Sequence, residues 1–181
     1  MIDLIVIFPK QNDGQAIKSL LTRNGYRVAS VFTSGAQAKS LMDTLDYGIV
    51  VCGYQFADML YSELYQDMGE TFQMLLLASR TKLDFVYEDG IVCVEMPLKA
   101  YDFLETLSMM TMALERLKKK GREKGRERNV AQKAIIEEAK KLLMENRHMT
   151  EEEAHRYIQK NSMDSGTSMV ETAQMVLEIM H

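Results

Sequence analysis

The sequence predicts an α/β protein: a five-stranded, doubly wound parallel sheet followed by a small three-helix all-α domain. Three observations lead there. Five short apolar runs alternate with helical stretches over residues 1–117, and strands separated by crossover helices pair in parallel with helices on both faces. Three amphipathic stretches follow over 129–181, two of them opening with capping signatures. Between these parts, residues 118–128 form a basic run that is either a linker or a helical joint.

In the first part, Leu4, Ile5, Val6, Ile7 and Phe8 suit a strand buried on both faces. A helix over 16–24 is stopped by Gly25, the residue type that tolerates a left-handed C-terminal turn. Strands are expected over 26–32, 48–52, 72–77 and 91–94, and helices over 36–43, 58–66, 82–87 and 101–117. Asn12-Asp13-Gly14 and Thr33-Ser34-Gly35 read as turns, which leaves Asp13 in a loop. Asp58 is expected to cap the helix that it precedes. Cys52 and Cys93 each sit in a β-branched apolar run, as buried strand residues rather than a disulfide or a metal pair. In such a sheet ligands bind at the carboxyl ends of the strands.

In the last part, Ile135, Ala139 and Leu142, with Ile136 and Leu143 beside them, mark the buried stripe of a helix starting near Asn129. Thr150 with Glu153, and Ser168 with Glu171, are capping boxes that fix two further helix starts. Ala154, Tyr157 and Ile158 form the stripe of the second helix and Val170, Ala173, Val176 and Leu177 that of the third, with Asp164-Ser165-Gly166 turning the chain between them.

Composition bounds the function. The 181 residues are 46% hydrophobic and 27% charged, with no long apolar run and no signal-peptide pattern at Met1-Ile2-Asp3, so a cytoplasmic protein without a membrane partner is expected. Of the methionines, Met109, Met110 and Met112 fall on one helix and read as core or helix-partner contacts. His148, His155 and His181 lack zinc-site spacing, and no glycine-rich phosphate loop or nucleophile elbow occurs. No metal, no cofactor and no catalytic residue are expected, which points to a binding protein rather than an enzyme.

Charge is distributed unevenly. Residues 1–117 carry 9 Lys/Arg against 15 Asp/Glu, and residues 129–181 carry 6 against 9, whereas residues 118–128 carry 7 against 2. That run is either a solvated face or a phosphate contact. Ahead of it, Leu104, Leu107, Met110 (or Met109), Leu114 and Leu117 recur at three- and four-residue spacing, and part of the stripe is expected to meet its copy in a homodimer, with Ile135, Ala139 and Leu142 resuming it beyond.

Ile136-Glu137, Ala139-Lys140, Leu142-Leu143-Met144, Thr150-x-x-Glu153-Ala154, Tyr157-Ile158, Met163 and Ala173 resemble the ANTAR domain, the RNA-binding module of bacterial transcription antiterminators. Lys133 stands where that family usually carries Arg, and Lys141 where Gly usually follows the Ala-Lys pair. The resemblance implies a structured leader RNA with tandem stem-loops as partner, a dimeric protein, and antitermination as output. The contact set expected from the cations and small polar groups is Lys133, Lys140, Lys141, Arg147, Arg156, Lys160, Thr167 and Ser168, with Tyr157 as a stacking candidate.

Residues 46–58, together with Met96-Pro97, make the first part similar to the receiver domain of two-component response regulators. Receivers transfer a phosphoryl group to an aspartate beside a magnesium ion, with further carboxylates and a lysine around it. Gly53 occupies the position of the acceptor, Phe8-Pro9-Lys10 that of the acidic pair, Met96 that of the lysine, and Ala78 that of the hydroxyl residue, with Ser79 next to it. The resemblance therefore implies a pseudo-receiver that is not phosphorylated, controlled by a partner protein, a small ligand or dimerisation. Two other readings are an interaction adaptor without RNA binding and a DNA-binding response regulator. Against the latter, residues 166–180 contain no Lys or Arg for a recognition helix.

Overall fold

The computed structural model describes residues 1–180; His181 lies outside the described residues. The chain divides into two compact units, Met1–Lys119 and Lys120–His181.

The first unit is a five-stranded parallel sheet in the order β2-β1-β3-β4-β5. The strands are β1 (Asp3–Ile7), β2 (Val28–Phe32), β3 (Gly48–Gly53), β4 (Phe72–Ser79) and β5 (Ile91–Met96), and the helices between them are α1 (Gln11–Arg23), α2 (Gly35–Met42), α3 (Tyr61–Asp67) and α4 (Arg80–Leu83). Successive strand side chains point to opposite faces, so the central strands feed two cores. On one face Leu4, Val6, Ile49, Val51, Leu75 and Leu77 pack with Ile17 and Leu21 of α1. On the other, Ile5, Ile7, Val50, Cys52, Met74 and Leu76 pack with Ala38 of α2 and Leu64 of α3.

Several local expectations are corrected. α1 begins at Gln11, so Asn12-Asp13-Gly14 is its first turn and Asp13 is helical, a carboxylate near the positive end of the helix. Asp58 caps α2 rather than the helix that follows it: its carboxylate accepts from Gly35 N–H at 2.7 Å, Ala36 N–H at 3.1 Å and the Ser34 hydroxyl at 2.9 Å. Burial would raise the Asp58 carboxyl, but those hydrogen bonds outweigh it and hold the group below the ordinary aspartate range. α4 ends at Leu83 because Phe85, Val86 and Tyr87 are poor helix formers. The short α4 leaves the edge strand β5 partly uncovered, so Cys93 is exposed where burial was expected, while Cys52 is buried and its thiol is pushed up by that burial. The Met96–Pro97 bond is cis.

The largest departure is α5, one helix from Ala100 to Arg147. No helix starts at Asn129, and the basic run 118–128 is helical. Gly121 and Gly125 weaken a helix by about 1 kcal/mol each relative to alanine, which is too little to break one propagated from both sides. The stripe assigned to dimerisation is also reassigned. Leu107, Met110 and Leu114 are buried with Phe103 against the sheet of their own chain, and Leu104 packs at the edge of that core. Only Leu117 is exposed, alongside Met109 and Met112.

In the second unit, the C-terminal part of α5 packs with α6 (Glu151–Ser165) and α7 (Met169–Met180) around Ala139, Leu143, Ala154, Ile158, Ala173 and Val176. Leu143 rather than Leu142 completes the α5 stripe. α5 stops at His148, which adopts the left-handed conformation (φ 52°), and α6 stops at Gly166 (φ 68°). No helix is long and apolar enough to cross a membrane among the described residues.

Candidate functional site

At the carboxyl ends of β1, β3 and β5, a cleft of about 490 Å³ occupies the place where a sheet of this kind binds ligands. Phe8, Pro9, Gly53, Leu77 and Met96 line it, with Asp13 and Lys82 as its charged groups. The Phe8 ring stands against Gly53. Lys82 Nζ lies 5.5 Å from the centre of the Tyr54 ring. A hard divalent cation wants several anionic oxygens, and here one carboxylate faces a wall of aromatic, proline and methionine side chains, so the residues do not fit magnesium. Among the described residues no cluster of three His, Cys, Asp or Glu could hold a metal.

The second unit holds the cations expected to meet RNA, and the structure sorts them. Lys140 is buried, at 9% side-chain exposure, and its ammonium pairs with Glu137 at 2.7 Å and Glu151 at 3.0 Å. The hydrogen bonds to Glu137 and then Glu151 raise its pKa. This corrects its assignment as an RNA contact: Lys140 ties the first turn of α6 to α5. Lys140 lies four residues after Ile136 and three before Leu143, beside the buried stripe, but that spacing did not reveal the carboxylate that α6 supplies.

Thr167 and Ser168 are also engaged within the unit, although Ser168 stays exposed. Ser168 Oγ accepts from Glu171 N–H at 3.2 Å while Glu171 accepts from Ser168 N–H at 2.8 Å, which closes the first turn of α7. The Thr167 hydroxyl lies 2.7 Å from that of Ser165 and 2.9 Å from that of Thr172. Both residues use their polar groups within the unit. Thr150 and Glu153 form the matching box on α6.

Arg147 and Arg156 are exposed but engaged. The Arg147 guanidinium lies 5.2 Å from the centre of the half-buried Tyr157 ring, and its Nη1 donates to the phenol oxygen at 3.2 Å. Arg156 pairs with Glu152 one turn away. Exposed pairs of this kind contribute little and open readily. Lys133, Lys141 and Lys160 are exposed and make no ion pair among the described residues. Sequence spacing alone did not distinguish them from Lys140, because the second carboxylate at Lys140 comes from another helix.

Residues 126–177 match the ANTAR domain family. The C-terminal unit carries an ANTAR domain. No curated protein matches the chain. Among solved structures, the first unit resembles the signal receiver domain of an HD domain-containing protein from Pseudomonas fluorescens Pf-5, with 13% identity, 65% of this chain and 92% of that chain covered, and a TM-score of 0.58. It also resembles a response regulator receiver domain protein from Methanospirillum hungatei JF-1, with 15% identity, 64% and 98% covered and a TM-score of 0.56. A two-component transcriptional regulator from Clostridium phytofermentans ISDg is similar at 8% identity, with 65% and 98% covered and a TM-score of 0.57. At these identities the likeness establishes the receiver fold. The chain thus joins a unit of receiver fold to a segment that matches the ANTAR domain family.

Proposed function

We propose that this protein is a regulator that acts by binding RNA: the ANTAR domain engages tandem stem-loops of a structured leader transcript and so prevents a terminator hairpin from forming. The observation that carries the reading is the ANTAR match on a three-helix unit whose Lys133, Lys141 and Lys160 are exposed and unpaired among the described residues. Arg147 and Arg156 supply further cations, and Tyr157 a partly exposed ring. Single-stranded loops suit such a surface, because unstacked bases need only a few polar and cationic groups. The receiver-like unit acts without phosphorylation, catalysis or a metal, since its strand ends offer an apolar cleft. In this reading the protein is cytoplasmic and homodimeric, with a seam that uses the outward Met109, Met112 and Leu117 of α5, and a partner protein or small ligand at the first unit sets its activity.

The test is transcription in vitro across a leader that bears tandem stem-loops and a terminator. Added protein is expected to raise read-through only when both stem-loops are intact. Read-through that does not change, or that rises equally on a scrambled leader, overturns the proposal.

A further inference from the structure

We propose that α5 carries, over residues 120–133, a track for the phosphate backbone of RNA that begins ahead of the ANTAR match and extends its interface; the inference rests on the RNA reading above. Every residue from 121 to 129 is exposed, and none of them carries an apolar side chain. A helix that is polar all round calls for a partner or many internal ion pairs. Internal pairs are missing: among the described residues no ion pair involves Lys120, Arg122, Lys124, Arg126 or Arg128.

The spacing adds like-charge repulsion along two rows of the helix. Arg122 and Arg126 are one turn apart, and so are Lys120, Lys124 and Arg128, so like charges stack along the axis. With about 3.6 residues per turn, these rows flank an arc of roughly two thirds of the circumference, and Glu123 and Glu127 share the remainder.

Gly121 and Gly125 run down the middle of that cationic arc. A Cβ built on Gly125 meets nothing within 4 Å, and its φ is not positive, so neither packing nor backbone conformation requires glycine there. Glycine inside a helix is unfavourable, and one use that offsets this is to let a ligand approach the backbone closely. Arg122, Gly125, Arg126, Asn129 and Lys133, with the exposed Val130, line one shallow groove of about 550 Å³. A bare backbone strip between two rows of cations complements a continuous polyanion, whereas a second copy of this chain would bring the same charges into repulsion. The contacts are to phosphates and carry no sequence information.

The experiment titrates the full chain with tandem stem-loop RNA, a scrambled hairpin and a polyglutamate peptide over a salt series. It compares the wild type with Arg122→Gln/Arg126→Gln and with Gly121→Leu/Gly125→Leu, and circular dichroism checks that each variant keeps its helix. Loss of the two cations is expected to reduce the slope of log affinity against log salt by about 1.5 and to weaken both RNAs by the same factor. The leucine pair, which keeps every charge and favours the helix, is expected to weaken both RNAs several-fold. If the wild type binds stem-loop RNA and the charge variant keeps its slope, the track is overturned and the RNA reading stands. Absence of RNA binding by the wild type overturns both. Leucine variants that bind like the wild type remove the glycine strip, and polyglutamate bound as tightly as RNA replaces the phosphate assignment with an acidic protein.

Discussion

Phe8 lies so close to Gly53 that a Cβ on residue 53 would meet the Phe8 ring at 3.2 Å. The position aligned with a receiver's acceptor thus abuts an aromatic ring, and the neighbouring Pro9 and Met96 add apolar wall to the cleft. Gly53→Asp is therefore expected to gain no phosphoryl group from acetyl phosphate with magnesium, as read by intact mass. It is also expected to lower stability by about 1–3 kcal/mol, because a carboxylate is pressed against apolar surface and the ring must shift. A phosphorylated Gly53→Asp protein would contradict this account of the cleft.

Leu107 and Leu114 are fully buried beneath the sheet. Leu107→Ala is expected to cost about 2–5 kcal/mol in chemical denaturation, the range for a core leucine that leaves a cavity. Met109→Ala and Met112→Ala, on the exposed side of the same helix, are expected to leave stability nearly unchanged and to shift the oligomeric state in sedimentation. Monomerisation by Leu107→Ala at unchanged stability would return the stripe to the dimer seam.

The two capping boxes make the ANTAR unit sensitive to acid. Backbone and hydroxyl hydrogen bonds from Thr150 lower the pKa of Glu153, and those from Ser168 lower that of Glu171, each below the ordinary 4.5. A depressed carboxyl contributes stability that is present above pH 4.5 and lost as pH falls through the folded value. Helicity of the unit is expected to hold from neutral pH down to that range and then to decline, with the decline blunted in Glu153→Gln/Glu171→Gln. Thr150→Ala should cost about 1 kcal/mol. A protein whose acid transition is identical with and without these glutamates would contradict the linkage.

Lys140 and Lys141 are adjacent in sequence, but the first is buried and paired and the second is exposed and makes no ion pair among the described residues. Lys140→Ala is expected to destabilise the unit by roughly 1 kcal/mol, because Glu137 and Glu151 remain in water and can be resolvated. Lys141→Ala should leave stability within about 0.5 kcal/mol, as surface substitutions usually do, and weaken RNA binding. Denaturation and RNA titration on the same two variants separate these effects.

Much of the fold was legible because burial periodicity is local. Short apolar runs marked all five strands, β-branched in most and leucine-rich in β4, and Thr150 with Glu153 marked the start of α6 directly. What was misread depended on partners distant in sequence. Asp58 caps a helix that begins 23 residues earlier, and Lys140 finds its second carboxylate across a helix-helix contact. The three-four stripe from Leu104 to Leu117 was seen correctly as apolar but could not say whether its partner was a second chain or its own sheet. In the same way, the basic run showed its charge and not its helix, since propagation from both ends outweighed two glycines.

The most direct measurement is equilibrium binding of the full chain to tandem stem-loop RNA, a scrambled RNA of the same composition, and duplex DNA, with Lys141→Ala/Lys160→Ala as the control. The account expects a clear preference for the stem-loops that salt weakens moderately and that the double variant reduces without loss of helicity. Equal affinity for all three nucleic acids, or binding untouched by loss of both lysines, would contradict it.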